Sequence, residues 1–459
     1  MPHKNRYTEA MYSRMLKTAD KARKTPFIQG VAFYQMGGIV MQATGFVSSV
    51  LFARILGLRE FGVYALISAF VGLISIITAY GQDISLPTYL AEAVGKKDRN
   101  AISAVLRYYA QATLLSWIVF VCLFVFAPTL AVVLHGDPLI GTYGRIAILN
   151  SKLQPPIVLL FTALQIERRN GTVVLLESGS DIIQLLISAG LLMLGLGVRG
   201  ILVGTLSVSL LSLIPFLWLY NRSALRQGLP GIGTIIGGMF RGGTRGVAKQ
   251  GLWMAIDANI SKNLYPNLFY LALNAIGSLE AVGIFRIAMR LSAVPSSVIM
   301  PSITRMTNIA IPRMAGENPG ALYASCKKVL VGTLGLSLLA SLGAAIVAPP
   351  LIPIVYGREY AAVIPIFLLL LIPNILASTH VLTIPLLRIF RRIWMISITN
   401  ILGIVLGLGA FFVLLSVHMN AIWSVSIGIT VFHANMLLLF PILLILVRER
   451  RRRRIAGNV

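Results

Sequence analysis

The sequence predicts an all-α polytopic membrane protein, with about twelve transmembrane helices in two parallel-repeat six-helix lobes around a central cavity. Three observations carry that reading. The 459-residue chain is 57% hydrophobic and only 12% charged. Its apolar residues gather into separate runs of about 20, the length that crosses a bilayer as a helix. Its second half repeats landmarks of its first. A formal charge of +25 would suit nucleic acid. The Lys and Arg residues, however, fall in short clusters between apolar runs and not on a soluble domain, so no nucleic-acid partner is expected.

Residues 1–26 are rich in Lys and Arg and hold no apolar core ending in small residues, so they read as a basic cytoplasmic segment and not a cleaved signal peptide. Tyr7, Met11 and Met15 share a helical face there, which suits a surface helix on anionic lipid or a solvated tail. The first lobe, 27–220, carries spans near 27–53, 61–82, 104–127, 143–165, 172–194 and 200–220. The second, 247–447, carries spans near 247–274, 281–303, 325–347, 361–386, 393–416 and 421–447. Residues 448–459 form a basic tail. With the N-terminus inside, most of the 40 Lys and Arg, including Arg168, Arg169, Arg391, Arg392 and the run from Arg450 to Arg454, fall on one side. Both termini are therefore expected in the cytoplasm. Between the lobes, residues 221–246 (NRSALRQGLPGIGTIIGGMFRGGTRG) read as a cytoplasmic linker. The GIGTIIG within it lacks the Lys-Ser or Lys-Thr and the preceding strand of a phosphate loop, so no nucleotide-driven motor is expected. Cys122 and Cys326 lie in apolar runs and read as packing residues.

Gly57-Leu-Arg-Glu60-Phe-Gly62-Val-Tyr64 meets Gly277-Ser-Leu-Glu280-Ala-Val-Gly283-Ile-Phe285 with one residue inserted. Beyond it, Gly95 meets Gly316, Ala127-Pro128 meets Ala348-Pro349, and Gly136 meets Gly357, all at one offset (357 − 136 = 221). An even number of spans per copy gives both copies the same orientation. Two such bundles can rock around a cavity and open it to each side in turn. Gly57, Gly62, Gly277 and Gly283 read as permitting tight helical hairpins.

The stretch FARILGLREFGVYAL, residues 52–66, followed by YGQDISLPTYLAEAVGKKD, resembles the Wzx-type polysaccharide-biosynthesis flippases, within the superfamily that also holds multidrug-and-toxin extruders and lipid II flippases. The residues that carry the resemblance are Ala53-Arg54-Ile-Leu56-Gly57, Glu60-Phe61-Gly62-Val-Tyr64, Gly81-Gln-Asp83 and Ala91-Glu92. Where that family often has Arg before the aromatic of the second element, Thr88 precedes Tyr89. The resemblance implies export, without covalent chemistry, of a polyprenyl-diphosphate-linked oligosaccharide from the inner to the outer leaflet of a bacterial cytoplasmic membrane. It also implies a cavity lined largely by spans 1, 2, 7 and 8. The expected partners are that lipid-linked oligosaccharide, of undecaprenyl diphosphate type, membrane lipids and polysaccharide polymerase machinery. No cofactor is expected, beyond coupling to a proton or sodium gradient.

A charge at mid-bilayer costs roughly 2.5–3.5 kcal/mol on insertion scales, so each one needs a partner, a wet cavity or a route to the interface. Arg286 and Arg290 share one face of span 8, and either attract a diphosphate in the cavity or pair with Asp257 on span 7. Asn259, Asn263, Asn267 and Asn274, with Asp257 and Lys262 beside them, make span 7 unusually polar. Such a stripe suits a cavity binding sugar hydroxyls, although Asn also bridges helices. Arg54 lies near the outer end of span 1, where it binds substrate or snorkels to the interface. Glu177 and Asp181 share a face of span 5, with Lys152 at the depth of Asp181. Ion coupling, for which Asp257 is a third candidate, competes there with an internal Lys152–Asp181 pair. His135, His380, His418 and His433 are scattered without metal-like spacing and receive no role. A drug antiporter of the same superfamily is the alternative function, disfavoured because Arg286, Arg290 and Lys262 suit an organic cation poorly. A membrane polymerase or ligase is disfavoured because every outer loop is short.

Overall fold

The computed structural model describes residues 26–439, apart from residues 241, 318, 391 and 393. The basic N-terminal segment, the basic tail and the side chains of Asp257 and Lys262 lie outside the described residues.

Helix α1, Pro26–Thr78, is 53 residues long, far more than one bilayer crossing needs, and Gly57 (φ 70°, ψ 173°) breaks it in two. The rings of Phe52 and Tyr64 lie 6.2 Å apart, where a straight helix would separate them by about 18 Å. The chain therefore folds back at Gly57. After Gly81 (φ 73°), α2 runs over Gln82–Gly95. Asp98 caps α3, Arg99–His135, by accepting from the amides of Asn100 and Ala101. Asp137 caps α4, Pro138–Lys152, and α5 covers Gln154–Ile166. Helix α6, Asn170–Leu191, turns through a π-helical stretch and Gly195 and Gly197, both at positive φ, into α7, Gly197–Gln227.

A short α8, Ile232–Gly237, precedes α9, Arg245–Ala258. A π-helical stretch, Asn259–Leu264, leads into α10, Tyr265–Ile276. Then come α11, Leu279–Glu317, and α12, Pro319–Val355. Helix α13, Val363–Ala377, passes through a 3-10 stretch, Ser378–Leu382, into α14, Thr383–Ile389. Helices α15, Trp394–Ser416, and α16, Ala421–Asn435, complete the described chain before a last 3-10 turn, Met436–Leu438. Among the described residues, 9 helical segments are long and apolar enough to span a membrane. Two of them, Gln35–Thr78 and Asn170–Gln227, fold back on themselves, and α9–α10 adds one more crossing, which yields the twelve spans expected.

The internal repeat is visible in the backbone. Helices α3 and α12 are both 37 residues long, contain Pro128 and Pro349, and stop at Gly136 (φ 74°) and Gly357 (φ 119°). Gly197 (φ 53°) finds its counterpart in His418 (φ 63°), again 221 residues on (418 − 197). The copies part company where α1 gives way to α2 near Gly81, because α11 runs unbroken over the equivalent stretch. One apolar core extends across both lobes; a smaller one, around Leu90, Leu106, Leu160 and Tyr220, joins the first lobe to Ala224, Leu229 and Ile235 of the linker.

The four hairpin glycines divide their work. Gly57 makes the turn its positive φ allows. Gly62 and Gly283 serve a different purpose: a Cβ on Gly62 would lie 1.9 Å from the Leu279 carbonyl oxygen, and one on Gly283 2.6 Å from that of Leu58. The equivalent glycines of the two repeats thus let the hairpins pack backbone against backbone between the lobes. Of the two cysteines, both free, Cys326 is buried and Cys122 is exposed.

Candidate functional site

The fold-back at Gly57 places both arms of α1 against α11, and the two arginines of α11 face the space between. That space is a cavity of about 280 Å³ lined by Thr44, Ser48, Ser49, Tyr64, Asp181, Gln184, Arg286 and Arg290 among others. The Arg286 guanidinium carbon sits 4.7 Å from the Tyr64 ring centre, a cation–π contact, and Nη1 donates to the Ala65 carbonyl at 3.4 Å. Arg290 occupies the room left by Gly45, where a Cβ would fall 2.2 Å from its Nη2. Its charge is felt by Tyr64, Tyr270 and Tyr356. Tyr356 bonds Ser49 through its hydroxyl at 3.3 Å. Among the described residues, neither arginine has a carboxylate within 4 Å. Two guanidinium groups one helical turn apart, ringed by hydroxyls and lacking a described ion-pair partner, have the chemistry to accept an anion, since arginine forks match phosphate oxygens.

A second cavity of about 360 Å³ continues the first toward residues 35 and 298, with Met41 in the wall of both. Gln35, Gln42, Gln165, Glu177 and Ser297 give it polar walls. Glu177 and Asp181, one turn apart on α6, thus line the second cavity and the first respectively. The Lys152–Asp181 pair considered from sequence is not formed. Lys152 is buried, donates to the Ser116 hydroxyl at 2.7 Å, and has Asp83 as the carboxylate that feels its charge. Helix periodicity placed Lys152 at the right depth but could not say which neighbour it faced.

Asn259 and Asn263 line neither cavity. Asn259 donates to the carbonyls of Ala79 at 3.0 Å and Ile76 at 3.4 Å, and Asn263 donates to the Asn259 side chain at 2.9 Å. Asn267 and Asn274 likewise bond the carbonyls of Asn263 and His135. Asn259 and Asn274 bridge helices because the ends of α1 and α3 leave carbonyls without intrahelical partners, and a buried carbonyl needs a donor, whereas Asn263 and Asn267 bond within their own segment. Arg54 is engaged too: its Nε donates to the Val355 carbonyl at 2.6 Å and its Nη2 to that of Ile354. These are the last carbonyls of α12, the negative end of its dipole. Gly45, Gln42, Ser297 and the tyrosines around Arg290 escaped the sequence reading, because nothing in their spacing marks them apart from ordinary packing positions.

The comparisons agree with this geometry. The inward-facing conformation of a multidrug resistance MATE family transporter of the MOP superfamily matches with a TM-score of 0.69 at 15% identity, over 90% of this chain and 99% of that one. The lipid II flippase MurJ, in its inward closed conformation, matches with a TM-score of 0.67 at 12% identity, over 90% and 87%. The eukaryotic MATE transporter AtDTX14 gives 0.63 at 17% identity, over 94% and 100%. At these identities the likeness is one of fold. No curated protein relative matches by sequence. The family model described as "Polysaccharide biosynthesis protein" matches residues 27–316, well over half of the chain, and the protein belongs to that family.

Proposed function

We propose that the chain is a flippase that moves a polyprenyl-diphosphate-linked oligosaccharide from the cytoplasmic to the outer leaflet of a bacterial cytoplasmic membrane by alternating access, for cell-surface polysaccharide biosynthesis. Both termini then lie in the cytoplasm. The observation that carries this reading is the arginine pair: Arg286 and Arg290 stand in a polar cavity between the lobes, with Asp181 in its wall but no carboxylate within 4 Å of either among the described residues. A diphosphate supplies the missing charge, and an undecaprenyl-type tail would remain among the apolar faces outside. Outward movement of an anion runs with the membrane potential, roughly 2.3 kcal/mol per charge per 100 mV. Glu177 and Asp181, in the walls of the two neighbouring cavities, are the groups assigned to coupling with a proton or sodium gradient. The second reading, a drug antiporter, draws on those same two carboxylates, which would attract an organic cation.

Binding of purified protein to polyprenyl diphosphate and to the uncharged polyprenol, across salt concentrations, separates the two. Flippase activity requires preference for the diphosphate. Arg290→Ala should weaken its binding tenfold or more, the loss of a charge-assisted bond of about 1.5–3 kcal/mol. Arg290→Lys should keep part of it, and Arg286→Ala should show a smaller loss. Equal binding of both lipids by the wild-type protein overturns the proposal, and competition by an organic cation would favour the antiporter.

A further inference from the structure

Two histidines that lie 53 positions apart in sequence (433 − 380) stack in the core of the second lobe. The His380 and His433 ring centres are 6.0 Å apart with 27° between the planes. The Tyr265 hydroxyl and His433 Nε2 are 3.0 Å apart, and Tyr265 itself stacks on Phe432 at 3.7 Å. His380 Nε2 and His433 Nδ1 are shut off from solvent and have no hydrogen-bond partner. Buried polar atoms are nearly always paired, so two orphaned imidazole nitrogens on neighbouring rings call for an explanation.

The backbone around them is irregular in the same place. Tyr265 follows the π-helical stretch of α9–α10, His380 sits in the 3-10 stretch between α13 and α14, and His433 lies in the last turn of α16 before another 3-10 turn. Three helices change pitch at one level of the lobe. Such breaks survive at membrane depth only inside protein or beside water, and π-helical insertions gather at functional positions.

Among the described residues, no charge stabilises an imidazolium here. Tyr265 is the titratable group bonded to the pair. Helices α13, α15 and α16 carry no other ionisable residue, and α10 adds Tyr270. Among the described residues of α11 and α12, Arg290 and Cys326 included, no ionisable group acts on either ring. A proton on one ring would be an uncompensated buried charge, and a proton on each would set two cations face to face. The packing seen here and protonation of the pair exclude each other.

We propose that His380 and His433 form a proton-binding site of the second lobe, filled when that lobe loosens to admit water and emptied when it closes into the packing seen here. A ligand that binds one of two conformations shifts the balance between them. The hydrated imidazoles titrate near their ordinary value, roughly 6.5. The closed packing is therefore favoured above that pH and loses ground below it, about tenfold per pH unit for each proton taken up. This site is separate from the carboxylates of the first lobe and does not depend on the identity of the transported lipid.

Hydrogen exchange of the full-length protein in lipid nanodiscs tests it, with protection at residues 378–382 and 433–438 followed from pH 8 to pH 5 and corrected for intrinsic exchange. The wild-type protein should lose protection as pH falls through the imidazole range, with a slope above one proton. His380→Gln or His433→Gln should reduce the slope to at most one, and the double variant should be flat, with wild-type protection at pH 8 as the check on folding. If the double variant does not fold, the two single variants decide. A Glu177→Gln, Asp181→Asn protein should keep the wild-type response. A flat wild-type profile, an unchanged slope in the single variants, or loss of the response in the carboxylate variant overturns the proposal.

Discussion

The two ends of the seam between the lobes are built differently. At the hairpin end, Gly62 and Gly283 bring the chains to backbone contact, Arg54 forks onto the last carbonyls of α12, and the Tyr360 hydroxyl donates to the Ala53 carbonyl at 2.6 Å. At the linker end, Gln35 reaches the Val298 carbonyl at 3.2 Å and Ser297 reaches Gln42 at 2.9 Å beside the 360 Å³ cavity, while on the other flank Gly81 packs against the Gly251 backbone, where a Cβ would lie 2.2 Å from the carbonyl oxygen. Close-packed backbone has two arrangements, joined or parted, whereas a few wet side-chain bonds yield by degrees. These contacts suit a gate at the hairpin end and an entrance beside Gln35 and Ser297.

The largest effect is expected from Gly62→Ala. The new methyl group must displace the Leu279 carbonyl, an overpacking that costs about 1–3 kcal/mol, and the gate should stay parted. In a protein freed of Cys122 and Cys326, a thiol placed at buried Ser49 should react with a water-soluble reagent at least tenfold faster than without the Gly62 change. Gly57→Ala provides the contrast. Nothing lies within 4 Å of its added Cβ, so the positive φ alone costs roughly 1–2 kcal/mol, and thermal stability should fall while the Ser49 thiol stays protected. Equal labelling in the two variants would remove the distinction between turn and gate.

Next in size is Glu177→Gln with Asp181→Asn, which should alter the pH or sodium dependence of transport while leaving diphosphate binding within about threefold. Loss of folded protein, with no ion effect in what remains, would make the carboxylates structural. Arg54→Ala removes hydrogen bonds of about 0.5–1.5 kcal/mol each. The Ser49 thiol should then react several-fold faster, with binding of polyprenyl diphosphate unchanged; a tenfold loss of binding would return Arg54 to the receptor. The smallest effect belongs to Ser297→Ala. Its bond to Gln42 sits beside a cavity that admits water, so transport should stay within about twofold, and a larger change would show that the linker end is gated as well.

Much of the architecture was legible because it depends on local and periodic features. Bilayer-length apolar runs gave the helices, and a repeat offset of 221 paired Gly136 with Gly357, which the structure shows following equivalent helices at positive φ. Arg286 and Arg290, one turn apart on one face, were bound to stand together wherever that face pointed. The asparagine stripe misled because its spacing is equally good for a cavity wall and for bridging. The difference lay in the carbonyls of Ile76 and Ala79, nearly two hundred residues away.

By itself, the sequence determined how many times the chain crosses the membrane, where it turns and which charges share a helix face, since those follow from hydropathy, backbone sterics and the 3.6-residue period. Tertiary structure alone decided which faces meet. It set Gly62 against the second hairpin, gave Lys152 to Ser116 instead of Asp181, put Asp181 in the wall of the arginines' cavity, and stacked His380 on His433. Contacts between helices distant in sequence depend on how packed surfaces fit one another, and spacing along a single chain carries no record of that fit.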